Sequence, residues 1–472
     1  MSAGEAREKR PLKDDLRDLM RSPRELWLAY LIWFVESIGI FSMLYTLVLW
    51  LSVDFHYDDE GAAFWATVFS SLATLLMLVA GFVGDALGMR RGLIASLGLL
   101  AVGRFFMGFA TEREMAIGGL IVMSLGYAGC TPVLNTAFRR FSHPRARAFA
   151  FSIYYVVMNL GAAVAGFLVD ACRAPFLSAD GKTLAPKLLE FPFIGAHVLS
   201  AYRLVFLIGA GLAALAFLLT LLVRDSADVE RDVAPEPAEP AERARAPWSI
   251  AREVMREVTF WRFMLLIALL VFVKMIFQHS HFTLPKYAIR ELGESFPLGK
   301  FQTINPISIM ILVPIVTALT RHMPAYRVIF VGSVITAASV FVLLAPASYF
   351  TIAAFYLLLS VGEALWSPRS YEYIATIAPR GRESSYMGLS GLPFFVAKLG
   401  ALPLSGWLLA RYCPPDGPRE SWMMWLIIGL TTAIAPVLMF TLRKVIEGPR
   451  AAPIEAAEEP EEPDEPPAAA VA

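Results

Sequence analysis

The chain of 472 residues is 57% hydrophobic and 17% charged, with a mean hydropathy of +0.57. Soluble domains carry nearer a quarter of charged residues, so this composition excludes an ordinary cytosolic enzyme and a disordered chain. The 41 basic residues balance the 41 acidic ones, and net charge therefore indicates no nucleic-acid partner. Three cysteines in so long a chain exclude a disulfide framework, and we expect neither a metal site nor a cofactor.

Apolar stretches long enough to cross a bilayer, which takes about 20 residues, dominate the chain. They cover 26–53, 61–84, 92–111, 114–137, 146–170, 202–224, 261–287, 300–321, 325–346, 349–377, 384–411 and 420–443. We therefore predict an all-α membrane protein with twelve transmembrane helices, and no enzyme.

Basic residues are concentrated in alternate connections between these spans. The N-terminal segment 1–25, the loop with Arg90 and Arg91 and the end of the last span at Arg443 are basic, whereas Asp54 to Glu60 has no Lys or Arg. Because Lys and Arg collect on the cytoplasmic side, we predict both termini to be cytoplasmic, in the cell membrane.

A polar segment in the middle divides the chain into two bundles of six helices. Residues 225–260 begin with an Ala-, Pro- and Glu-rich run and are predicted to be a cytoplasmic linker between bundles at 26–224 and 261–443. Apolar residues from Trp248 to Val258 fall at helical spacing, which predicts an interfacial helix or an extension of span seven. The tail 444–472 is acidic and predicted to be disordered, and 171–201 is the one sizeable external loop.

The connection between spans two and three contains a recognisable motif. Its residues Gly81, Asp85, Gly88, Arg90 and Arg91 resemble the loop motif of the major facilitator superfamily, which also has two six-span halves. Gly88 allows a tight turn, and Asp85 can meet a helix N-terminus or a facing Arg and latch the cytoplasmic gate. The alternative is a loop whose arginines only set topology. The basic residue that usually follows the Asp is Ala86 here.

Other stretches resemble one branch of that superfamily, the proton-dependent oligopeptide transporters. The matching stretches are Phe151 to Gly161 in span five (with Tyr154, Tyr155 and Asn159), Phe277 and Gln278 in span seven, Asn305 and Pro306 in span eight, and Gly362 to Pro368 in span ten (with Glu363 and Trp366). The resemblance implies a proton-coupled secondary transporter of small amphipathic solutes such as oligopeptides, with Glu363 in the substrate cavity. Only the second of the family's two first-span glutamates is present, as Glu36, and Thr131 stands where its fourth-span lysine falls.

Independently of any family, five charged residues lie near mid-depth in the spans, where they mark pathways or proton relays by default: Glu36, Arg104, Lys274, Glu363 and Lys398. We predict proton coupling at the two glutamates. Glu36 is expected to be the proton carrier because its span is otherwise apolar and has no adjacent Arg, and Glu363 is expected to orient substrate by pairing with an amine or with Lys274. The predicted cavity lining is Lys274, Gln278, Tyr154, Tyr155, Asn159, Arg104, Lys398 and Trp366. Alternatively, some of these charges only staple helices, with Arg104 or Lys398 as the partner of a carboxylate.

Two other functions stay open at this point, an exporter of drugs or metabolites with the same fold and a membrane sensor that moves no solute. ATP drive within the chain is excluded because no Gly-x-x-x-x-Gly-Lys loop is present. His279 and His281 are two residues apart and face different ways on a helix, so they predict no shared metal site. The partners expected are a small molecule or peptide, protons and the lipid bilayer, and the protein is expected to be a monomer with Cys172 and Cys413 as free thiols.

Overall fold

The computed structural model describes residues 17–143, 146–191, 195–224, 256, 258–377 and 392–447, without the side chains of 78–87, 147–148, 259, 371–372, 374–377 and 392–394. The first half contains α1 (Arg24–Phe55), α2 (Asp59–Leu87), α3 (Met89–Phe109), α4 (Arg113–Phe141), α5 (Arg147–Arg173) and α6 (Ala201–Leu221). The second contains α7 (Val258–Phe282), α8 (Leu284–Leu292), α9 (Leu298–Gln302), α10 (Ile304–Thr320), α11 (Ala325–Phe341), α12 (Tyr349–Ile377), α13 (Leu392–Tyr412), α14 (Ser421–Thr441) and α15 (Arg443–Glu447).

Among the described residues, eleven helical segments are long and apolar enough to cross a membrane. Helix α13 is the twelfth span, since it packs against α2 and α7. Lys398 and Arg411 lower its mean hydropathy. Helices are expected here because a chain in lipid must satisfy every backbone N–H and C=O internally. The predicted fold class, a twelve-helix membrane protein in two halves, is confirmed.

Several predicted boundaries are wrong in informative ways. Span seven does not run unbroken to residue 287, because α7 ends at Phe282 and the short amphipathic helix α8 follows. Span eight, by contrast, agrees with the prediction, because α9 and α10 together form the candidate span Leu298–Thr320. The tail is helical from Arg443 to Glu447 and buries Ile446, so an unstructured segment does not begin at residue 444. The linker 225–255, including most of the predicted interfacial helix, lies outside the described residues.

The external loop predicted at 171–201 contains a β-hairpin. Strand β1 (Lys187–Phe191) pairs antiparallel with β2 (Gly195–Leu199), with Lys187 opposite Leu199. The hairpin leads directly into α6, whose first turn is capped by the Ser200 hydroxyl accepting from the Arg203 amide. We call this end of the molecule the hairpin end, and the opposite end, where residues 225–257 connect the halves, the linker end.

Within each half, small residues bring the third and fourth spans into close contact. A Cβ on Gly103 of α3 would lie 2.7 Å from the backbone nitrogen of Met123 in α4. In the second half, a Cβ on Gly332 of α11 would lie 2.8 Å from the carbonyl oxygen of Gly362 in α12. Such backbone approach is typical of helix pairs in membranes. The third and fourth spans of each half share this device, which supports the predicted repeat.

Candidate functional site

The acid of the first half is sealed in a buried ion pair. The Arg104 guanidinium on α3 donates two hydrogen bonds to Glu36 on α1, at 3.0 and 2.5 Å, and a third of 3.2 Å to the Gly209 carbonyl on α6. Glu36 is 1% exposed and Arg104 is fully buried. The expectation that Glu36 stands without a neighbouring cation is therefore wrong, because the partner comes from another helix. The contact joins three helices of one half, as the staple alternative proposed.

The aromatic residues predicted on α5 pack inside the first half. The Tyr154 ring stacks on Trp33 of α1, with centroids 5.0 Å apart and planes 9° apart, and meets Phe138 of α4 edge-on. Asn159 donates its side-chain amide to the Tyr155 carbonyl one turn earlier, at 2.9 Å. This bond lies within α5 and leaves a contact between Asn159 and substrate untested.

The acid of the second half is held differently. Glu363 lies at the middle of α12, is partly buried, and accepts a 2.9 Å hydrogen bond from the Asn305 amide of α10. The same amide donates to the Ser360 hydroxyl at 3.1 Å, and Ser360 lies almost one turn before Glu363 on α12. The Asn305 partner is neutral, whereas the partner of Glu36 is a cation. Glu363 is thus partly exposed, and its described hydrogen-bond partner carries no charge.

An aromatic and cationic cluster forms around Trp366, further along α12 from Glu363. Trp366, three residues further along α12, lies under the Lys274 ammonium of α7, whose nitrogen is 5.9 Å from the ring centroid. Phe277 of α7 meets Trp366 edge-on at 6.1 Å. Lys274 is 5% exposed, and Gln278, one turn beyond it, is partly buried. The structure therefore brings two predicted site residues, Lys274 and Trp366, into contact across α7 and α12, while Gln278 and Glu363 lie about one turn away along their own helices.

Lys398 joins the two halves at a different place. Its ammonium on α13 donates a 3.2 Å hydrogen bond to the Thr74 hydroxyl of α2. The alternative in which Lys398 pairs with a carboxylate is not observed, because its described partner is the Thr74 hydroxyl. Thr74 was not among the predicted site residues.

The loop motif is described only in part. Gly88 takes a φ of 80°, in the left-handed region that glycine tolerates, which confirms the predicted tight turn between α2 and α3. Arg90 donates to the Leu221 carbonyl at the end of α6 at 2.8 Å, and Arg91 is exposed. The side chain of Asp85 and the surroundings of Gly81 lie outside the described residues.

An ionic clamp, which the sequence analysis missed, ties the halves together at the hairpin end. Asp59 at the start of α2 accepts hydrogen bonds from Lys286 at 2.8 Å and from Arg290 at 2.9 and 2.7 Å, both on α8. Lys286 also donates to the Ser52 hydroxyl of α1 at 2.6 Å. The side chains of Asp59, Lys286 and Arg290 are 4%, 3% and 14% exposed. We define the clamp as these three residues.

A second group of cross-half bonds flanks the clamp. Asp170 of α5 accepts the backbone amides of Gly299 and Lys300, both at 2.8 Å. Arg173 pairs with Glu294 at 2.9 Å and donates to the Phe296 carbonyl at 2.9 Å. The sequence did contain a signal, since the acidic 54–60 segment and the bases at 286 and 290 fall at the same end of the predicted bundle.

The two histidines of α7 make separate contacts. The His281 ring stacks on Tyr45 of α1, with centroids 5.6 Å apart and planes 5° apart. His279 shares a 2.8 Å hydrogen bond with Thr283, which contacts Ser405 of α13 at 2.6 Å. Cys130, Cys172 and Cys413 are buried free thiols.

Two helical bundles that meet through charged contacts, with further charges buried at mid-depth, define a multi-pass membrane protein of the transporter class. The chain belongs to the Major Facilitator Superfamily, whose sequence profile matches residues 29–346.

Relatives of known name include peptide permeases. It is 23% identical over 470 residues to dipeptide and tripeptide permease A of Erwinia pyrifoliae, covering 89% of this chain and 93% of the relative. The Salmonella typhimurium protein of the same name is 22% identical, covering 91% and 94%. The resemblance to the oligopeptide transporter family is thereby confirmed.

Solved structures agree on the fold. A crystal structure of a peptide transporter POT in complex with sulfate gives a TM-score of 0.70 at 16% identity, covering 92% of this chain and 98% of the other. A POT family transporter in complex with 5-aminolevulinic acid gives 0.69 at 15% identity, covering 90% and 97%. A variant of the nucleoside transporter NupG gives 0.68 at 14% identity, covering 89% and 99%. Since peptide and nucleoside transporters match almost equally well, the fold alone does not select a substrate.

Proposed function

We propose that the protein is a proton-coupled secondary transporter for small amphipathic solutes with a free amine, of which di- and tripeptides are the leading class. It acts as a monomer in the cell membrane, with the linker end and both termini on the cytoplasmic side. The names of its relatives support the substrate class, and the distribution of Lys and Arg supports the orientation. The observation that carries the proposal is the environment of Glu363.

Glu363 is suited to bind an ammonium group and to exchange a proton. It is partly exposed at the middle of a span, where a charged group is retained only for function or pairing. Its described partner, the Asn305 amide, is neutral. A proton can therefore neutralise Glu363 without breaking an ion pair and leaving a buried cation behind.

The cluster next to Glu363 provides complementary contacts for the rest of a peptide. Lys274 offers a cation for a carboxylate, and Trp366 offers an apolar face for a side chain. A ligand carboxylate could form an ion pair with Lys274 beside the Trp366 ring, in place of the cation–π contact. We accordingly assign the ligand to the second half of the protein, between α7 and α12.

Glu36 takes a structural role in this proposal, in place of the proton carrier expected from the sequence. Releasing Glu36 during each cycle would leave Arg104 unpaired at zero exposure, which costs about 3–5 kcal/mol. No ligand in the cycle compensates that cost, so we propose that α1, α3 and α6 move as one unit with the ion pair intact.

The clamp closes the external side in the cycle proposed here. Its three residues come from both halves, as do the bonds of Asp170 and Arg173 beside it. Alternating access requires the halves to separate at one end at a time. The conformation described here is thus closed at the hairpin end, and outward opening has to break the clamp.

The test is uptake of a labelled dipeptide into proteoliposomes, with and without an imposed inward proton gradient. Wild type should concentrate the dipeptide only with the gradient. Glu363→Gln should abolish both concentrative uptake and counterflow, because it removes the ammonium partner and the proton site together. Glu190→Gln, the same change at an exposed position of the hairpin, is the control and should transport normally. Gradient-driven uptake by Glu363→Gln at the wild-type rate would exclude Glu363 from the site.

The second candidate is an exporter of drugs or metabolites. The observation that favours it is the sealed Glu36–Arg104 pair, which removes one acid from the set available for coupling. In that case, dipeptides would neither be concentrated nor exchange, and Glu363→Gln would instead change the efflux of apolar amines. A sensor without transport would give no flux in either assay.

A further inference from the structure

A groove at the linker end carries charges and apolar surface that neither the coupling site nor the clamp uses. It has a volume of about 680 Å³ and lies between the start of α1, the start of α3 and the end of α6. Three arginines line it (Arg24, Arg90 and Arg224), and its walls include Trp27, Leu31 and Leu222. All three of these apolar side chains are exposed in the protein.

The groove has an excess of positive charge. No acid is among the described residues that line it, and the adjacent Glu25 is fully buried and accepts hydrogen bonds from Arg224 at 2.7 and 3.1 Å and from Arg24 at 3.1 Å. Three guanidiniums and one carboxylate leave a formal charge of +2. Arg24 nevertheless remains 67% exposed, so its charge faces the groove and its opening.

Arg90 adds an unused donor. Its Nη2 caps the end of α6 through the Leu221 carbonyl at 2.8 Å, but its Nε is buried with no hydrogen-bond partner among the described residues. A buried donor without a partner costs free energy, and an anion placed between Arg24 and Arg90 would satisfy it.

The position of the groove specifies the kind of anion. The candidate spans of α1, α3 and α6 begin or end at Arg24, Met89 and Leu221, so the arginines lie at the boundary of the hydrocarbon layer. Trp27 and Leu31 follow within the hydrocarbon layer, one and two turns deeper along α1. A ligand that fills the groove therefore needs a negative headgroup at one level and acyl chains directly next to it.

We propose that this groove binds an anionic phospholipid of the adjoining leaflet, with its phosphate between Arg24 and Arg90 and its acyl chains along Trp27, Leu31 and Leu222. Basic pockets between membrane helices on the cytoplasmic side are a recognised site for such headgroups. The bound lipid links α1, α3 and α6, the same three helices that the Glu36–Arg104 pair joins near mid-depth.

The experiment measures lipid binding to the purified full-length protein in detergent by native mass spectrometry. Phosphatidylglycerol is compared with phosphatidylcholine of the same acyl chains, and with glycerol phosphate as a headgroup without chains. Wild type should prefer phosphatidylglycerol, and Arg24→Gln/Arg90→Gln should lose roughly thirtyfold of that preference. The control, Arg321→Gln/Arg327→Gln, removes two exposed arginines from the same end of the second half and should keep the preference.

A second variant locates the lipid without touching the arginines. Brominated phosphatidylglycerol should quench part of the tryptophan fluorescence of wild type, and Trp27→Phe should lose that part. Equal binding of the two lipids by wild type, or binding of glycerol phosphate as tight as that of phosphatidylglycerol, would overturn the proposal. So would unchanged quenching in Trp27→Phe.

Discussion

Replacing Asp59 by Asn tests whether the clamp sets the conformation of the hairpin end. Asp59 is the only acid among the described contacts of Lys286 and Arg290 in the clamp. All three side chains are at least 86% buried, so water screens their attraction little. Asn keeps one acceptor but removes the charge, and two cations then lie next to each other without compensation.

The magnitude follows from the burial. Removing one partner of a buried ion pair costs about 3–5 kcal/mol, and the lower end applies because Asn retains a hydrogen bond. About 3 kcal/mol corresponds to roughly a hundredfold shift of the closed-to-open ratio. This cost falls only on the closed state, since the three residues separate when the halves part.

Cys413 is a native reporter for the opening. Its thiol is fully buried, and its carbonyl accepts a 2.5 Å hydrogen bond from Arg290. In a background with Cys130 and Cys172 replaced by Ala, Asp59→Asn should raise the rate of maleimide labelling at Cys413 up to a hundredfold, because labelling follows the open population. Glu60→Gln, an exposed neighbour with the same loss of charge, should leave the rate unchanged. Equal rates in the two variants would refute the clamp as the element that holds this end closed.

Two more predictions concern packing and the buried pair. Gly299→Ala should also speed Cys413 labelling, because a Cβ there overlaps the Gly166 backbone across the interface of the halves, whereas Gly118→Ala, in open space, should have no effect. Glu36→Gln should lower the free energy of unfolding in detergent by about 3–5 kcal/mol, measured by chemical denaturation, and the paired change Glu36→Leu/Arg104→Met should recover most of it. If Glu36→Gln unfolded like wild type, the structural role of the pair would be wrong.

Hydropathy predicted the spans well because burying an unsatisfied backbone in lipid is so costly that composition alone determines which segments cross. Hydropathy gave the wrong end for span seven, because the helix is interrupted at Thr283, between α7 and α8, while the sequence stays apolar. The hairpin at 187–199 was missed because neither strand alternates strongly and both lie outside the spans.

The buried charges were located from the sequence, but their pairing was not. Glu36 and Arg104 are 68 positions apart, and their contact depends on how α1 and α3 are rotated about their axes. Length and hydropathy contain no information on that rotation, because spans in lipid are apolar on most faces. The clamp was missed for a related reason, since its acid was considered only for topology and its two bases were not considered.

The difference between the two acids indicates how the cycle is divided between the halves. In the first half, Glu36 is bound by a cation that belongs to the same half, so an approaching ligand gains nothing by displacing it. In addition, Thr131 stands where the family's fourth-span lysine falls. In the second half, Glu363 has a neutral partner, and Lys274 rests on an aromatic ring. In the proposed cycle, a charged ligand replaces the Asn305 contact of Glu363 and the Trp366 contact of Lys274. In the function proposed here, recognition and protonation fall together on α7 and α12, while the first half acts as a rigid wall whose movement opens and closes access to them.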